Sequence, residues 1–80
     1  MQITVKPMAA LRNKLPPGSQ GGAARIDLEQ GATVASALER LGLSTGHVHL
    51  VLVNGTMEPD RSRPLADGDE LVIFPPVAGG

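Results

Sequence analysis

The sequence contains no cysteine. Disulfides, thiolate metal sites and a thiol nucleophile are thereby excluded together. Aromatic residues are nearly absent, Phe74 being the only one, so no platform exists for stacking nucleic-acid bases. Neither sign of charge dominates: seven basic residues face eight acidic ones, for a formal net charge of -1. Such a balance leaves no electrostatic footprint for nucleic acid or an anionic membrane. No hydrophobic run is long enough to span a bilayer, and Met1-Gln2-Ile3-Thr4-Val5 does not resemble a signal peptide. The expectation is a cytoplasmic protein that binds neither nucleic acid nor membrane.

What is present is 80 residues, 41% of them apolar. A chain this short forms one domain and buries only ~60–65% of its unfolded surface. The core must come from Val, Leu and Ile, with little volume left for an internal substrate cavity.

Gln2 to Lys6 alternates polar and apolar residues, with Ile3 and Val5 on one face, and reads as a half-buried strand that Pro7 ends. Pro16-Pro17-Gly18 and Gly21-Gly22 punctuate the next stretch too often for a long helix, leaving at most a helical turn over 9–14. Arg25 to Glu29 alternates again, with Ile26 and Leu28 inward. After a turn at Gln30-Gly31, Thr33 is placed to cap a helix. Val34, Ala37, Leu38 and Leu41 recur at the spacing of one helical stripe, and Gly42 stands where a left-handed C-cap is wanted. His49 to Val53 is a third strand, and Asn54-Gly55 is a strong hairpin signal leading into a short return strand at Thr56-Met57. Leu65 plugs the core from a loop. Asp67-Gly68-Asp69 turns the chain into a last strand, Glu70 to Phe74, which Pro75 and Pro76 end. This order fits several small α+β folds, and topology does not follow from it.

The segment Pro75-Pro76-Val77-Ala78-Gly79-Gly80 is the chemically informative part. Two prolines favour an extended chain, so these six residues reach up to ~20 Å beyond a domain spanning 1–74. Gly79-Gly80 has no side chain and passes through a channel where any Cβ would clash. A terminal carboxyl group with a reference pKa of ~3.3–3.7 is ionised in the cell and is a poor electrophile until activated. A mixed anhydride with AMP is the usual activated form, and it accepts sulfur or an amine. Gly21-Gly22 shows that the same pair also arises inside a loop, so composition alone does not separate a working terminus from an ordinary one.

The run Leu65-Ala66-Asp67-Gly68-Asp69-Glu70-Leu71-Val72-Ile73-Phe74-Pro75-Pro76-Val77-Ala78-Gly79-Gly80 resembles the C-terminus of the small sulfur-carrier subunit of molybdopterin synthase. Val53-Asn54-Gly55 resembles that family's edge hairpin, and Ala10-Leu11-Arg12 is similar to its region after the first strand. The likeness spans the chain and is specific from Leu50 onward. Strand one lacks the aromatic pair common in that branch, and Pro7 to Ala24 is richer in proline and glycine.

The resemblance implies a β-grasp, ubiquitin-like fold: a mixed sheet of four to five strands with one main helix packed across it. It implies that the chain is no enzyme on its own and binds no cofactor or metal. An E1-like adenylating enzyme would use ATP to activate Gly80, next to Gly79, and a sulfur donor protein would convert it to a thiocarboxylate. Without cysteine, that sulfur must come from outside. Docking into the larger catalytic subunit would then deliver it to a pterin precursor. Phe74-Pro75-Pro76 favours this branch over the related thiazole-synthesis carrier.

In the last strand Leu71 and Ile73 share one face, Val72 and Phe74 the other, and one of the two faces is core. If Leu71 and Ile73 face the helix, Val72 and Phe74 form an exposed apolar patch at the root of the tail. The resemblance sets Met57 beside it. Met57, Val72, Phe74, Pro75, Pro76, Val77 and Ala78 are then the expected partner-binding residues. The other reading makes Phe74 core.

His47 and His49 have no third ligand near them in sequence, and Asp67, Asp69 and Glu70 lack the ligand spacing of a calcium loop. Ser19, Ser36, Ser44 and Ser62 come with no arranged base, and no phosphate-binding glycine motif is present. Besides the carrier, two further function classes remain: a ubiquitin-like modifier joined to lysines through Gly80, and a non-covalent binding module with an idle tail.

Overall fold

A computed structural model describes residues 1–15, 19–43 and 45–76. Pro16-Pro17-Gly18, Ser44 and the tail residues Val77, Ala78, Gly79 and Gly80 lie outside the described residues. The elements run β1 (Gln2–Pro7), a 3₁₀ turn (Ala9–Lys14), β2 (Ala24–Asp27), α1 (Val34–Arg40), a second 3₁₀ turn (Thr45–His47), β3 (Leu50–Val53), β4 (Thr56–Met57) and β5 (Glu70–Phe74). The strands form one mixed sheet in the order β2-β1-β5-β3-β4. β5 is parallel to β1 and antiparallel to β3, while β2 and β4 pair antiparallel at the edges.

The alternation read from the sequence sets the two faces of the sheet. Ile3, Val5, Leu71 and Ile73 have no exposed surface, and Val51, Val53 and Ile26 join them in one core with Val34, Ala37 and Leu38 of α1. Each Val, Leu or Ile among them contributes ~1.5–3 kcal/mol on full burial. Leu11 of the first 3₁₀ turn and Leu65 close the ends of this core. The second strand differs from expectation. It stops at Asp27, and Leu28 lies beyond it, half-buried, its amide bonded to the carbonyl of Met1 at 2.8 Å. Pro7 belongs to β1 and is fully buried opposite Ile73, because a terminal strand position tolerates the missing donor.

At seven residues α1 is too short to persist alone. Thr33 caps it: the Ser36 amide donates to Thr33 Oγ1 at 3.2 Å, and the Thr33 amide to Ser36 Oγ at 3.1 Å. The amides of Val34 and Ala35 donate to the carbonyls of Arg63 and Arg61 at 3.0 and 2.8 Å. All the first-turn donors are thus satisfied, and the loop before Leu65 is clipped to the helix. At the other end the Gly42 amide donates to Glu39 and that of Leu43 to Leu38, both at 2.9 Å. Gly42 takes φ +74, and the buried Leu43 packs in the core with Leu38. This is a Schellman cap.

Leu71 sits between Val5 and Val53 with no exposure. Leu71→Ala is expected to cost ~2–5 kcal/mol, a large share of the stability of so small a domain. Val72→Ala, one residue on but facing outward, is expected to cost no more than ~1 kcal/mol. Urea unfolding of the two variants checks the assignment of faces.

Candidate docking face and tail root

The face of the sheet away from α1 is built by the same register that builds the core. Lys6 pairs with Val72, Val72 with Leu52, and Leu52 with Met57, so these four side chains form one row across β1, β5, β3 and β4. Phe74 pairs with Leu50 in the next position of the same face. Val72, Phe74, Leu50 and Leu52 are half-buried, and Met57 is 61% exposed. No described element covers them. A sheet face left to water is ordinarily polar, and an apolar stripe there makes this face the candidate docking surface.

Phe74 therefore lies outside the core cluster, and the reading in which it is core is set aside. Val72, Phe74 and Met57 come together on one face. Leu50 and Leu52 join them, and sequence reasoning missed both. The signal was present, because Leu50 and Leu52 alternate with Val51 and Val53 as Val72 and Phe74 do with Leu71 and Ile73. The stripe is edged by Lys6 and Glu70, whose side chains meet at 3.0 Å. At roughly two-fifths exposure each, that pair adds little stability.

The root of the tail lies at the end of this stripe. The Met8 amide donates to the carbonyl of Ile73 and the His49 amide to that of Phe74, both at 2.8 Å. Pro75 follows half-buried and Pro76 exposed, outside the strand. The sheet therefore holds the chain through Phe74.

At the opposite end a polar clamp fixes where β5 begins. Asn54 and Gly55 make the hairpin turn at φ +51 and +85, a geometry that Asn-Gly suits. The Asn54 side chain donates to Asp69 Oδ1 at 2.9 Å and accepts from the Glu70 amide at 2.9 Å. Asp69 Oδ2 accepts from the Ala66 amide at 2.9 Å. The Gln2 amide donates to Asp67 at 2.7 Å, and the Thr4 amide to the carbonyl of Asp69 at 3.0 Å. The hydrogen bond from Ala66 holds the Asp69 carboxyl below its usual value; partial burial opposes this, while the Asn54 amide and the charge of Arg63 add to it.

His47 ends the second 3₁₀ turn and His49 precedes β3, so the two do not share a strand. Among the described residues, no three His, Cys, Asp or Glu side chains are grouped to hold a metal ion. Ser36 and Ser62 have structural partners: Ser36 caps the helix, and Ser62 donates to Asp60. No described helix is long and apolar enough to cross a membrane.

A mixed sheet grasping one short helix, with an apolar open face leading to a Gly-Gly segment, defines a ubiquitin-like domain of the β-grasp class. The sequence profile of the ThiS family matches residues 9–80. The chain belongs to the ThiS family, and with it to the ubiquitin-like sulfur carriers. Among solved structures it is similar to SAMP1, small archaeal modifier protein 1, of Haloferax volcanii. That match has 31% identity, covers 100% of both chains and gives a TM-score of 0.74. A putative molybdopterin converting factor subunit 1 from Pyrococcus furiosus is 26% identical over 95% of this chain and 98% of its own, at a TM-score of 0.71. A complex of subunits 1 and 2 of the molybdopterin-converting factor from Helicobacter pylori shares the fold at 20% identity, covering 100% of both chains, with a TM-score of 0.63. Comparison with curated protein sequences gave no match.

Because the folded state lowers the Asp69 pKa, its contribution to stability is present above the unfolded value of 3.8. It is lost as pH falls through the lower folded value. Urea midpoints followed down to about pH 2 should therefore drop below about pH 4, and drop less steeply in Asp69→Asn. Parallel acid limbs would remove Asp69 as a source of the acid sensitivity.

Proposed function

We propose that this chain is the sulfur-carrier subunit of a molybdopterin synthase, and that the carboxyl group of Gly80 is its working group. The observation that carries the proposal is the family match running through residue 80, on a domain whose apolar face leads to the root of that segment. In this reading the Gly80 carboxylate attacks the α-phosphate of ATP on an adenylating enzyme and pyrophosphate leaves. A persulfide on a donor protein then displaces AMP to give an acyl disulfide. A second thiol attacks the donor's sulfur, so that the S–S bond breaks, the thiocarboxylate leaves and the two thiols end as a disulfide. The domain supplies no catalytic group. It presents the open face, Met57, Val72 and Phe74 together with Leu50 and Leu52, to the adenylating enzyme and then to a larger catalytic subunit. Two prolines at the tail root favour an extended chain, and the small side chains of Val77 and Ala78 and the bare Gly79 suit a narrow channel. The likeness to a molybdopterin converting factor subunit 1 supports this acceptor, and the Helicobacter complex supplies a precedent for pairing with a second subunit.

A second reading is favoured by the 31% identity to small archaeal modifier protein 1. There the same activated Gly80 would be taken by a lysine amine. High-mass conjugates that vanish on deleting Gly79-Gly80 would select it. Thiazole synthesis remains the sister pathway for the sulfur.

Incubation with ATP, the adenylating enzyme and a sulfur donor is expected to raise the intact mass by the exchange of one oxygen for sulfur, at Gly80. Deleting Gly79-Gly80 should abolish the gain. An unchanged mass, with the same enzyme active on a control carrier, would overturn the proposal. Separately, Met57→Asp alters a side chain already in water, so the melting temperature should hold while adenylation slows by about tenfold or more at limiting enzyme. Unimpaired adenylation would take Met57 out of the docking face.

A further inference from the structure

The net charge of -1 conceals a division of charge along the strands. β1 and β5 run parallel, so Lys6-Pro7 and Phe74-Pro75 reach the same end of the sheet. Met8 and His49 are fastened to that end through Ile73 and Phe74. The segments converging there are residues 6–14, 19–23, 45–49 and 74–76. Together they contain Lys6, Arg12 and Lys14, with His47 and His49 counted as neutral, and not one acidic residue. Arg12 folds over the neighbouring loop, where a Cβ on Gly22 would stand 2.9 Å from its guanidinium nitrogen. Arg61 reaches toward the same end, donating to the carbonyl of Val48 at 3.4 Å.

Most acidic residues gather elsewhere; Glu70 pairs with Lys6 at 3.0 Å, and the Glu58 amide bonds the carbonyl of Val51, opposite Ile73. Asp67 and Asp69 bind the start of β1, and Asp27 pairs with Gln2. Asp27, Glu29 and Glu39 line one shallow recess beside Arg40. Glu58 pairs with Arg63 at 3.4 Å, and Asp60 accepts from Ser62. At ~3.3 Å per residue, β1 separates the two poles by about 16 Å. That exceeds the screening length of ~8 Å at physiological ionic strength, so the carboxylates at the start of β1 do not cancel the charge of Arg12 and Lys14.

We infer that this end is a cationic collar which steers the chain, tail first, onto an adenylating enzyme whose tail-receiving channel is rimmed by acidic side chains. The inference rests on the proposed function, since it needs an enzyme that receives the tail. Lys6, whose charge Glu70 balances at 3.0 Å, stands in the same row as Val72, Leu52 and Met57, and the unbalanced charge of the collar, on Arg12 and Lys14, lies at the tail-root end of that sheet. A surface covering both must be apolar at its centre and acidic at its edge. That is the chemistry of a protein and not of a nucleic-acid backbone. Steering of this kind acts on the association rate and leaves the dissociation rate nearly unchanged.

Stopped-flow binding to the cognate adenylating enzyme, at low and physiological salt, tests the inference. Arg12→Glu and Lys14→Glu each reverse one charge of the collar. Arg40→Glu makes the same change in net charge at the acidic pole. The collar variants should associate about three- to tenfold more slowly, with a shallower salt dependence. Arg40→Glu should stay within about twofold of the wild type, and dissociation rates should match throughout. Equal slowing by all three variants would mean that net charge alone matters, and unchanged rates would mean that no steering occurs; either overturns the inference. Should Arg12→Glu fail to fold, Lys14→Glu, on an exposed side chain, decides. ATP–pyrophosphate exchange with the wild-type chain separates the two levels. Its absence with an active enzyme removes the proposed function itself, whereas exchange with insensitive association rates removes only the collar.

Discussion

β5 is hydrogen-bonded along both edges, to β1 on one side and β3 on the other, and its register decides what the molecule shows to its surroundings. Side chains alternate along a strand, so a slip of one residue would exchange Leu71 and Ile73 for Val72 and Phe74. The core would then have to hold Phe74, and the apolar row through Leu52 and Met57 would be broken. Several bonds at the start of the strand oppose that slip. Asn54 grips both Asp69 and Glu70, and Asp69 also takes the Ala66 amide. Each is an ordinary hydrogen bond worth ~1 kcal/mol, but all specify one register, and the buried Leu71 and Ile73 specify the same one.

The small core leaves little stability to spare, and the short helix shows how it is used. Seven residues do not make a persistent helix in water. Thr33 and Ser36, the carbonyls of Arg61 and Arg63, and the turn at Gly42 leave no helix-end donor to search for another partner. Clipping the 58–64 loop to the helix also positions Leu65 over the core. The consequence is that one face of the sheet is spent on packing and the other is left open, the face that the proposed function gives to partners.

Much of the fold was legible in the sequence. Gly42, Asn54-Gly55 and Gly68 suit a left-handed geometry that few other residues adopt, and Thr33 suits a helix cap; each is found in that role. The alternation in β1 and β5 named the core residues. The end of β2 is not legible because Leu28 and Glu29 continue the alternating pattern after the pairing with β1 has stopped at Asp27. His47 and His49 were two apart in sequence, yet a 3₁₀ turn separates them from a common strand. Leu50 and Leu52 were overlooked as surface residues because a continuous aliphatic run reads as wholly buried until its neighbours are known.

The sequence by itself determined the elements, the caps and turns, and the Gly-Gly segment on which the proposed activation rests, because these depend on residues close together in the chain. Which face of β5 is core, which side chains line up with Val72, and where the cations fall relative to the tail were decided by tertiary structure alone. The parallel pairing of β1 with β5 joins residues more than sixty positions apart. No local pattern carries that pairing, and from it follow the apolar stripe and the charged end beside it.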